Sequence, residues 1–476
     1  DKIDIKFHNQ IKSNNDLINE WQEMEFDIAN EFLPVDTKYL DEKLKYEILS
    51  NIENIDEITD GILIKSDNFQ ALNTILPKYK EQIDLIYIDP PFNTGSDFAY
   101  KDRFQDSTWL TLMENRLSLA KEFLTDKGSF YLHLDYRANF LGRLLLDNIM
   151  NKNLLNEVIY GYRIQGIKRN AYANKHDTIF IYTKKHPDDN QHIFNVEKEI
   201  QIYQKPFMDV KTIEADLNKL SEKDMNIIFK CLENRKALPD KFKDLIFNQY
   251  HAETFIRDVW DHDKTKPLIS GSSEYLQFQT QKSEGLLNRV ISNSSNRNSI
   301  VMDFFNGSGT TFNTAHKLNR KWIGVEVGEH FNTVNIPRIK KTLAGILNGI
   351  SKELEKEGNL KKGGIVKYYE LESYEEVLSK AHYELSDNGV INLYKSEKLA
   401  FENIVEKDND KVKLNYKLIN ENIDIFETIS NITGFRIKKK DINTCVFLDK
   451  DKEILIDKNN LNFSDYPFLR QLIWWK

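Results

Sequence analysis

Cysteine is almost absent from this chain of 476 residues: only Cys231 and Cys445 carry a thiol, and neither belongs to a Cys-x-x-Cys pair or a Cys/His cluster. That pattern excludes a disulfide framework and a structural zinc of the usual ligand spacing, so no metal is expected and a reducing cytoplasm is the default location. Long apolar runs are missing as well. No stretch approaches the ~20 residues a membrane-crossing helix needs, and the opening Asp1-Lys2-Ile3-Asp4 has nothing of a signal peptide; no membrane partner is expected. With no Met at position 1, the numbering is expected to start inside the natural chain or after removal of a leader. We find no internal repeat and no low-complexity tract. What remains is a globular composition, 40% hydrophobic and 12% aromatic, sufficient for two or three packed domains.

Net positive charge is lacking too, but the deficit is local. Residues 1–60 hold six Lys, no Arg and sixteen acidic residues, a balance of −10 that leaves the rest of the chain at about +2 of the total −8. Residues 151–185 carry seven cations against Glu157 and Asp177. Local positive charge, not the total, governs phosphate binding. Tyr162, Arg163, Lys168, Arg169 and Tyr172 interleave rings with cations, the mixture that nucleic-acid grooves use for bases and phosphates.

Proline is scarce, ten in all, yet two stand together in Asp89-Pro90-Pro91-Phe92. They close the apolar run Leu85-Ile86-Tyr87-Ile88, since each proline fixes φ and neither donates to a ladder. The carbonyls of Asp89 and Pro90 are then left beside a carboxylate and an aromatic face. An exocyclic NH2 on a planar base needs two acceptors and a flat neighbour, and these four residues supply both. A second constellation lies downstream. Ser299 to Asp303 reads as a buried strand running into Phe304-Phe305-Asn306-Gly307-Ser308-Gly309-Thr310-Thr311, with a helix from Phe312 to Leu318. The turn lets a ligand approach the backbone. Its glycine spacing is not that of a pyrophosphate binder, and it lacks the lysine of a P-loop. The strand Trp322 to Glu326 then ends in an acid where doubly wound folds hold ribose hydroxyls. Together these features suit a nucleoside cofactor without phosphates.

The segments DLIYIDPPFNTGSDFAY and VMDFFNGSGTTFNTAHKLNRKWIGVE resemble the catalytic and cofactor motifs of S-adenosyl-L-methionine-dependent DNA adenine-N6 methyltransferases. The catalytic motif precedes the cofactor motif, with an insertion between, which is similar to the circularly permuted order of the β-class. Ile64 to Phe69 resembles the short acidic motif before the catalytic one, and Phe278 to Ser283 resembles the Thr-Gln-Lys-Pro element before the Gly-rich turn, with Ser283 in place of the proline. Phe92 stands where tyrosine is more frequent, which removes a hydroxyl and keeps the stacking face. Asn93 to Phe98 and Gly363 to Glu372 look like the modification subunits of type III restriction–modification systems; the resemblance spans residues 60 to 435.

The resemblance implies an α/β, doubly wound, Rossmann-like sheet with catalytic Asp89, Pro90, Pro91 and Phe92. It places S-adenosyl-L-methionine among Asp67, Thr280, Lys282, Asp303, Phe305, Gly307, Gly309, Thr310, Thr311 and Glu326. It further implies double-stranded DNA as substrate, a homodimer, a helicase–nuclease restriction partner and a prokaryotic cytoplasm. The organisation expected is an acidic helical segment at 1–60, a catalytic half-domain at 61–185, a target-recognition insertion at 186–270, a cofactor half at 271–350, and a linker with a small α+β C-terminal domain at 351–476. Within the catalytic half, Trp109, Met113, Arg116, Leu117, Ala120 and Leu124 lie at helical spacing with Ser107 as N-cap and Gly128 as stop; all are expected to be scaffold, as are His133 and Asp135. Asp rather than Ser before the prolines favours adenine N6 over cytosine N4, and there is no Pro-Cys nucleophile for cytosine C5 chemistry. A stand-alone or RNA-directed adenine methyltransferase, a cytosine-N4 enzyme, and a non-catalytic DNA-reading subunit remain open alternatives.

Overall fold

Short apolar runs become the strands of one sheet, and two of its central strands end in a carboxylate, Asp303 and Glu326. The computed structural model describes residues 5–27, 29–93, 102, 104–162, 170–202, 221–224, 226, 227, 239, 251–261, 265–373, 384–386, 389–391, 405–408, 411–414 and 423–472. Its first eleven strands are β1 (Thr59–Lys65), β2 (Ile83–Ile88), β3 (Leu124–Leu134), β4 (Leu154–Gly161), β5 (His176–Thr183), β6 (Lys198–Ile202), β7 (His251–Phe255), β8 (Val259–Trp260), β9 (Ile300–Asp303), β10 (Lys321–Glu326) and β11 (Ile365–Glu370). Nine of them form one sheet in the order β11-β1-β10-β9-β2-β3-β5-β4-β8. Neighbours are parallel from β11 to β3, and β5 runs antiparallel to both β3 and β4.

This is the doubly wound α/β sheet expected, in permuted order. β9 and β10 come late in the chain yet sit between β1 and β2. From the central pair, β2 leads through the helix Asp106–Phe123 to β3 on one side, while β9 leads through the helix Thr310–Lys317 to β10 on the other. The strand order therefore reverses between β2 and β9, the switch point where open α/β sheets leave a crevice beyond the strand C-termini. Leu85, Ile86 and Ile88 of β2 are fully buried, as befits a parallel strand covered on both faces. Trp109, Met113, Leu117, Ala120 and Phe123 form the buried stripe of the covering helix. Each large side chain of this kind contributes about 1.5–3 kcal/mol by leaving water.

Several local expectations change. The helix begins at Asp106 with Gln105 in the N-cap position, and Ser107 lies in its first turn. Gly128 does not stop a helix. Leu124 is already paired with Ile83, so helix passes into β3 without a loop, and Gly128 lies within the strand where an added Cβ would stand 2.9 Å from the Ile83 carbonyl. The acidic N-terminus packs on the core: Leu17, Trp21 and Leu44 share an apolar cluster with Ala344, and Asp36 accepts from Lys340 at 2.6 Å and from the Tyr368 hydroxyl at 2.8 Å.

The C-terminal strands Arg436–Lys440, Thr444–Asp449 and Lys452–Asp457 form an antiparallel sheet beside the helix Ile425–Thr433. This part is not detached from the rest. Its core includes Ile55, and the buried Asp56 carboxylate joins Lys78 and Lys367, each at 2.7 Å. The chain divides instead into Asn195–Asp258, which contains the β6–β7 hairpin, and a unit holding everything else. That smaller unit is narrower than 186–270, because β8 joins the main sheet beside β4 and the Ile193 amide bonds the Lys127 carbonyl at 3.1 Å. Sequence pattern also predicts a helix near Ser221 to Leu232, a helix-prone stretch from Ser373 to His382 and a short β-type run from Ile391 to Tyr394; most of the first, nearly all of the second and residues 392–394 of the third, with Cys231, lie outside the described residues.

Candidate active site

Four neighbouring strands, β1, β10, β9 and β2, deliver a carboxylate each to one place: Asp67 just past β1, Glu326 ending β10, Asp303 ending β9 and Asp89 just past β2. All four line a cavity of about 400 Å³. Like charges so grouped are costly without partners, and each has a different one.

Asp67 caps the helix Asn68–Tyr79, accepting from the Phe69 amide at 2.9 Å, and pairs with Arg116 at 2.9 Å. Helical spacing alone makes Arg116 scaffold; the structure instead sets it in the cavity lining, where it also bonds Asn68, whose amide donates to the Phe304 carbonyl at 2.9 Å. A cation on an otherwise apolar helical stripe was the available signal. Asp303 is fully enclosed, accepting from the Thr311 hydroxyl at 2.6 Å and the Phe305 amide at 2.9 Å. Burial pushes its carboxyl up to about 7 despite those two bonds, and the charges of Asp89 and Glu326 add to the effect.

Glu326 binds the Gly-rich turn directly. Its two oxygens accept from the Gly307 amide at 2.7 Å and the Gly328 amide at 2.8 Å, so the acid and the turn hold one another. Gly307 has φ +52 and no atom closer than 3.9 Å to an added Cβ, the nearest being on Phe278 at the cavity wall; the turn leaves room for a ligand there. Gly309 has another purpose. It does not line the cavity, and at φ +80 its missing Cβ would lie 2.1 Å from the Phe312 ring, so this glycine serves packing at the N-terminus of the helix Thr310–Lys317.

Asp89 is placed by the double proline and by Trp109, whose indole donates to the Pro91 carbonyl at 2.8 Å. One carboxylate oxygen, Oδ2, pairs with Lys282. The other, Oδ1, is buried without a hydrogen-bond partner, a state that ordinarily costs about 1–3 kcal/mol. The Phe92 ring stacks with His133 at 6.0 Å between centroids. His133 is completely buried, with Nδ1 bonded to the Tyr87 hydroxyl at 2.8 Å and Nε2 to Asp177 at 3.1 Å; it is scaffold, as expected, but scaffold for the ring of Phe92. Asp135 accepts from the Arg137 amide at 2.8 Å and forms no part of the cavity lining.

Of the residues expected in the site, Asp67, Asp89, Pro90, Pro91, Phe92, Thr280, Lys282, Asp303, Phe305, Gly307, Thr310, Thr311 and Glu326 all line this one cavity. Tyr162 and Tyr172 do not: the Tyr162 hydroxyl bonds Asp177 at 3.3 Å, and Tyr172 is 98% exposed. Arg163, Lys168 and Arg169 lie outside the described residues.

Among curated relatives, the probable type III restriction-modification enzyme HindVI Mod subunit of Haemophilus influenzae is 27% identical, over 73% of this chain and 58% of the relative, so the chain spans little more than half of that protein's length. The type II methyltransferase M.EcaI of Enterobacter cloacae is 27% identical over 61% of this chain and 71% of the relative. Among solved structures, a complex of M1.HpyAVI with SAM aligns at a TM-score of 0.35 and 17% identity, covering 58% of this chain and 98% of that one. Residues 83–336 match the DNA methylase family. They include both Asp89 and the Gly-rich turn and make up more than half of the 476 residues, and the chain belongs to the DNA methylases of the N6/N4 type.

Proposed function

We propose that this chain transfers a methyl group from S-adenosyl-L-methionine to N6 of an adenine flipped out of double-stranded DNA, as the modification and recognition subunit of a type III-like restriction–modification system in a prokaryotic cytoplasm. The observation that carries the reading is the unpartnered, buried Oδ1 of Asp89 in a cavity that also holds the Gly-rich turn.

The residues fit the cofactor. Its positive charge suits a cavity lined by five carboxylates, Glu326 stands at the end of β10 for ribose hydroxyls, and the open Cβ side of Gly307 admits close approach of a ligand. When bound, S-adenosyl-L-methionine supplies an electrophilic methyl carbon on a sulfonium. The chain's own residues must make the amine a nucleophile. Asp89 Oδ1 accepts one N–H and the Pro90 carbonyl the other, which draws the nitrogen out of conjugation and aims its lone pair at the methyl carbon. Phe92 offers its ring to the base, which must leave the duplex stack to arrive there. The nitrogen sheds one proton as the N–C bond forms, and Asp89 is placed to take it before release to water.

Digestion of methylated DNA to nucleosides followed by mass spectrometry tests the reading: N6-methyldeoxyadenosine is expected, and N4-methyldeoxycytidine would shift the substrate to the other base. A pH effect follows from Asp303. With its carboxyl near 7, binding of a cationic cofactor favours the ionised form and releases a proton, so affinity should rise by about tenfold from pH 6 to 8. Calorimetry in buffers of different ionisation enthalpy reads the proton directly; a pH-independent constant without proton release contradicts this role.

Arg163, Lys168 and Arg169, with Tyr162 and Tyr172, bind the DNA in this reading. Reversing the three charges should weaken binding to all sequences alike and lower the salt slope by about one for each phosphate no longer neutralised. A changed methylation site with intact affinity would make them base readers instead. The insertion within 186–270 reads the target, and the protein works as a homodimer that docks a helicase–nuclease partner. Support comes from the Mod subunit relative and from the separate compactness of Asn195–Asp258. Exchange of that unit for a relative's should transfer the recognition sequence, and light scattering on DNA reports the dimer.

A further inference from the structure

The adenine-N6 reading assigns two groups to the base: the Asp89 carboxylate for its amine and the Phe92 ring for its face. In the structure one side chain already engages both. The Lys282 ammonium pairs with Asp89 Oδ2 and lies 5.2 Å from the centroid of the Phe92 ring. Both partners of the ion pair have side chains only 17% exposed, so the ammonium is held within the site and not at its rim. Chemically it resembles the substrate group: a nitrogen whose hydrogens face a carboxylate, set against an aromatic face.

Its tether explains how it can leave. The Lys282 backbone is fixed, because its carbonyl accepts from the Thr310 hydroxyl at 3.1 Å and the next residue, Ser283, caps the helix Glu284–Ser294. Four methylenes separate that fixed point from the charge, so the ammonium can swing while the fold stays still. A second anion lies within its electrostatic reach. Asp177 is held below its ordinary carboxyl range against burial, mainly by its hydrogen bond to His133, with the charges of His133 and Lys282 adding. Asp177 thus offers the displaced cation a stabilising neighbour.

We propose that Lys282 is a displaceable plug of the base pocket: when no base is present it holds Asp89 through Oδ2, beside the Oδ1 that the amine takes, and lies against the Phe92 ring; it yields the ring and the carboxylate to an incoming adenine, and returns to help expel the methylated base. This rests on the adenine-N6 reading, and it moves Lys282 from the cofactor set, where its motif suggested it, to control of the base.

The test places 2-aminopurine at the adenine position that the wild-type protein methylates, and compares wild type with Lys282→Met and Lys282→Gln, each saturated with S-adenosylhomocysteine. Removing the plug should increase the fluorescence of the flipped base at saturating DNA and, in separate turnover assays with S-adenosyl-L-methionine on unmodified DNA, lower KM for DNA about tenfold, with the dissociation constant for S-adenosylhomocysteine within threefold of wild type. Lys282→Arg keeps a cation and should retain wild-type fluorescence. Unchanged fluorescence and KM in both neutral variants overturn the plug. So does a tenfold weaker cofactor complex with unchanged fluorescence, which would return Lys282 to the cofactor site. A wild-type chain that methylates no adenine instead overturns the reading beneath the proposal; methylation by wild type with no response in the variants overturns the plug alone.

Discussion

Asp89→Ala is expected to reduce methyl transfer by a factor of about 10³ or more while leaving cofactor affinity nearly intact. A positioned acid–base group contributes about 10²–10⁴-fold, and this one also orients the nucleophile, so the upper part of that range applies. Oδ1 is a buried carboxylate oxygen without a partner, and the other carboxylates of the cavity are committed: Asp303 to Thr311 and Phe305, Glu326 to Gly307 and Gly328, Asp67 to Arg116 and its helix cap, and Asp102 to the Asn93 amide. Asp89→Asn separates geometry from charge. It retains one oxygen acceptor but cannot take the proton, and an activity between wild type and Asp89→Ala is expected. Retention of more than a few per cent of turnover by Asp89→Ala, measured with labelled cofactor on unmethylated DNA, removes Asp89 from the mechanism.

Glu326→Ala should raise the cofactor dissociation constant about a hundredfold. Hydrogen bonds to a charged group contribute about 1.5–3 kcal/mol, and each 1.4 kcal/mol is a factor of ten. The loss is twofold in origin. Ribose hydroxyls lose their acceptor, and the amides of Gly307 and Gly328 lose theirs, which loosens the turn that the cofactor must approach. A lower melting temperature without cofactor is therefore expected beside the weaker binding. Glu326→Gln offers one oxygen for two amides and should fall between. Calorimetric titration giving a constant within threefold of wild type would mean that the turn and its acid are structural only.

The site was legible where chemistry and chain direction coincide. Asp89, Asp303 and Glu326 each end a buried apolar run, and a parallel sheet sends such ends to one edge, so the three separated segments that the resemblance joined meet there in the structure. What was misread depends on partners distant in sequence. Arg116 looked like part of an apolar stripe until Asp67, 49 residues earlier, faced it. Gly309 shared its motif with Gly307, but only the position of the Phe312 ring shows that one glycine serves packing and the other the cavity. The C-terminal sheet read as a separate domain because no local pattern reveals that Asp56 would join Lys78 and Lys367 beneath it.

Single-molecule sequencing of DNA from cells expressing the wild-type chain, beside cells expressing Asp89→Ala, tests the central claim most directly. The expected result is N6-methyladenine at one position of one short sequence in the first sample and none in the second. N4-methylcytosine in the first sample, or adenine methylation that survives in the second, would contradict the account.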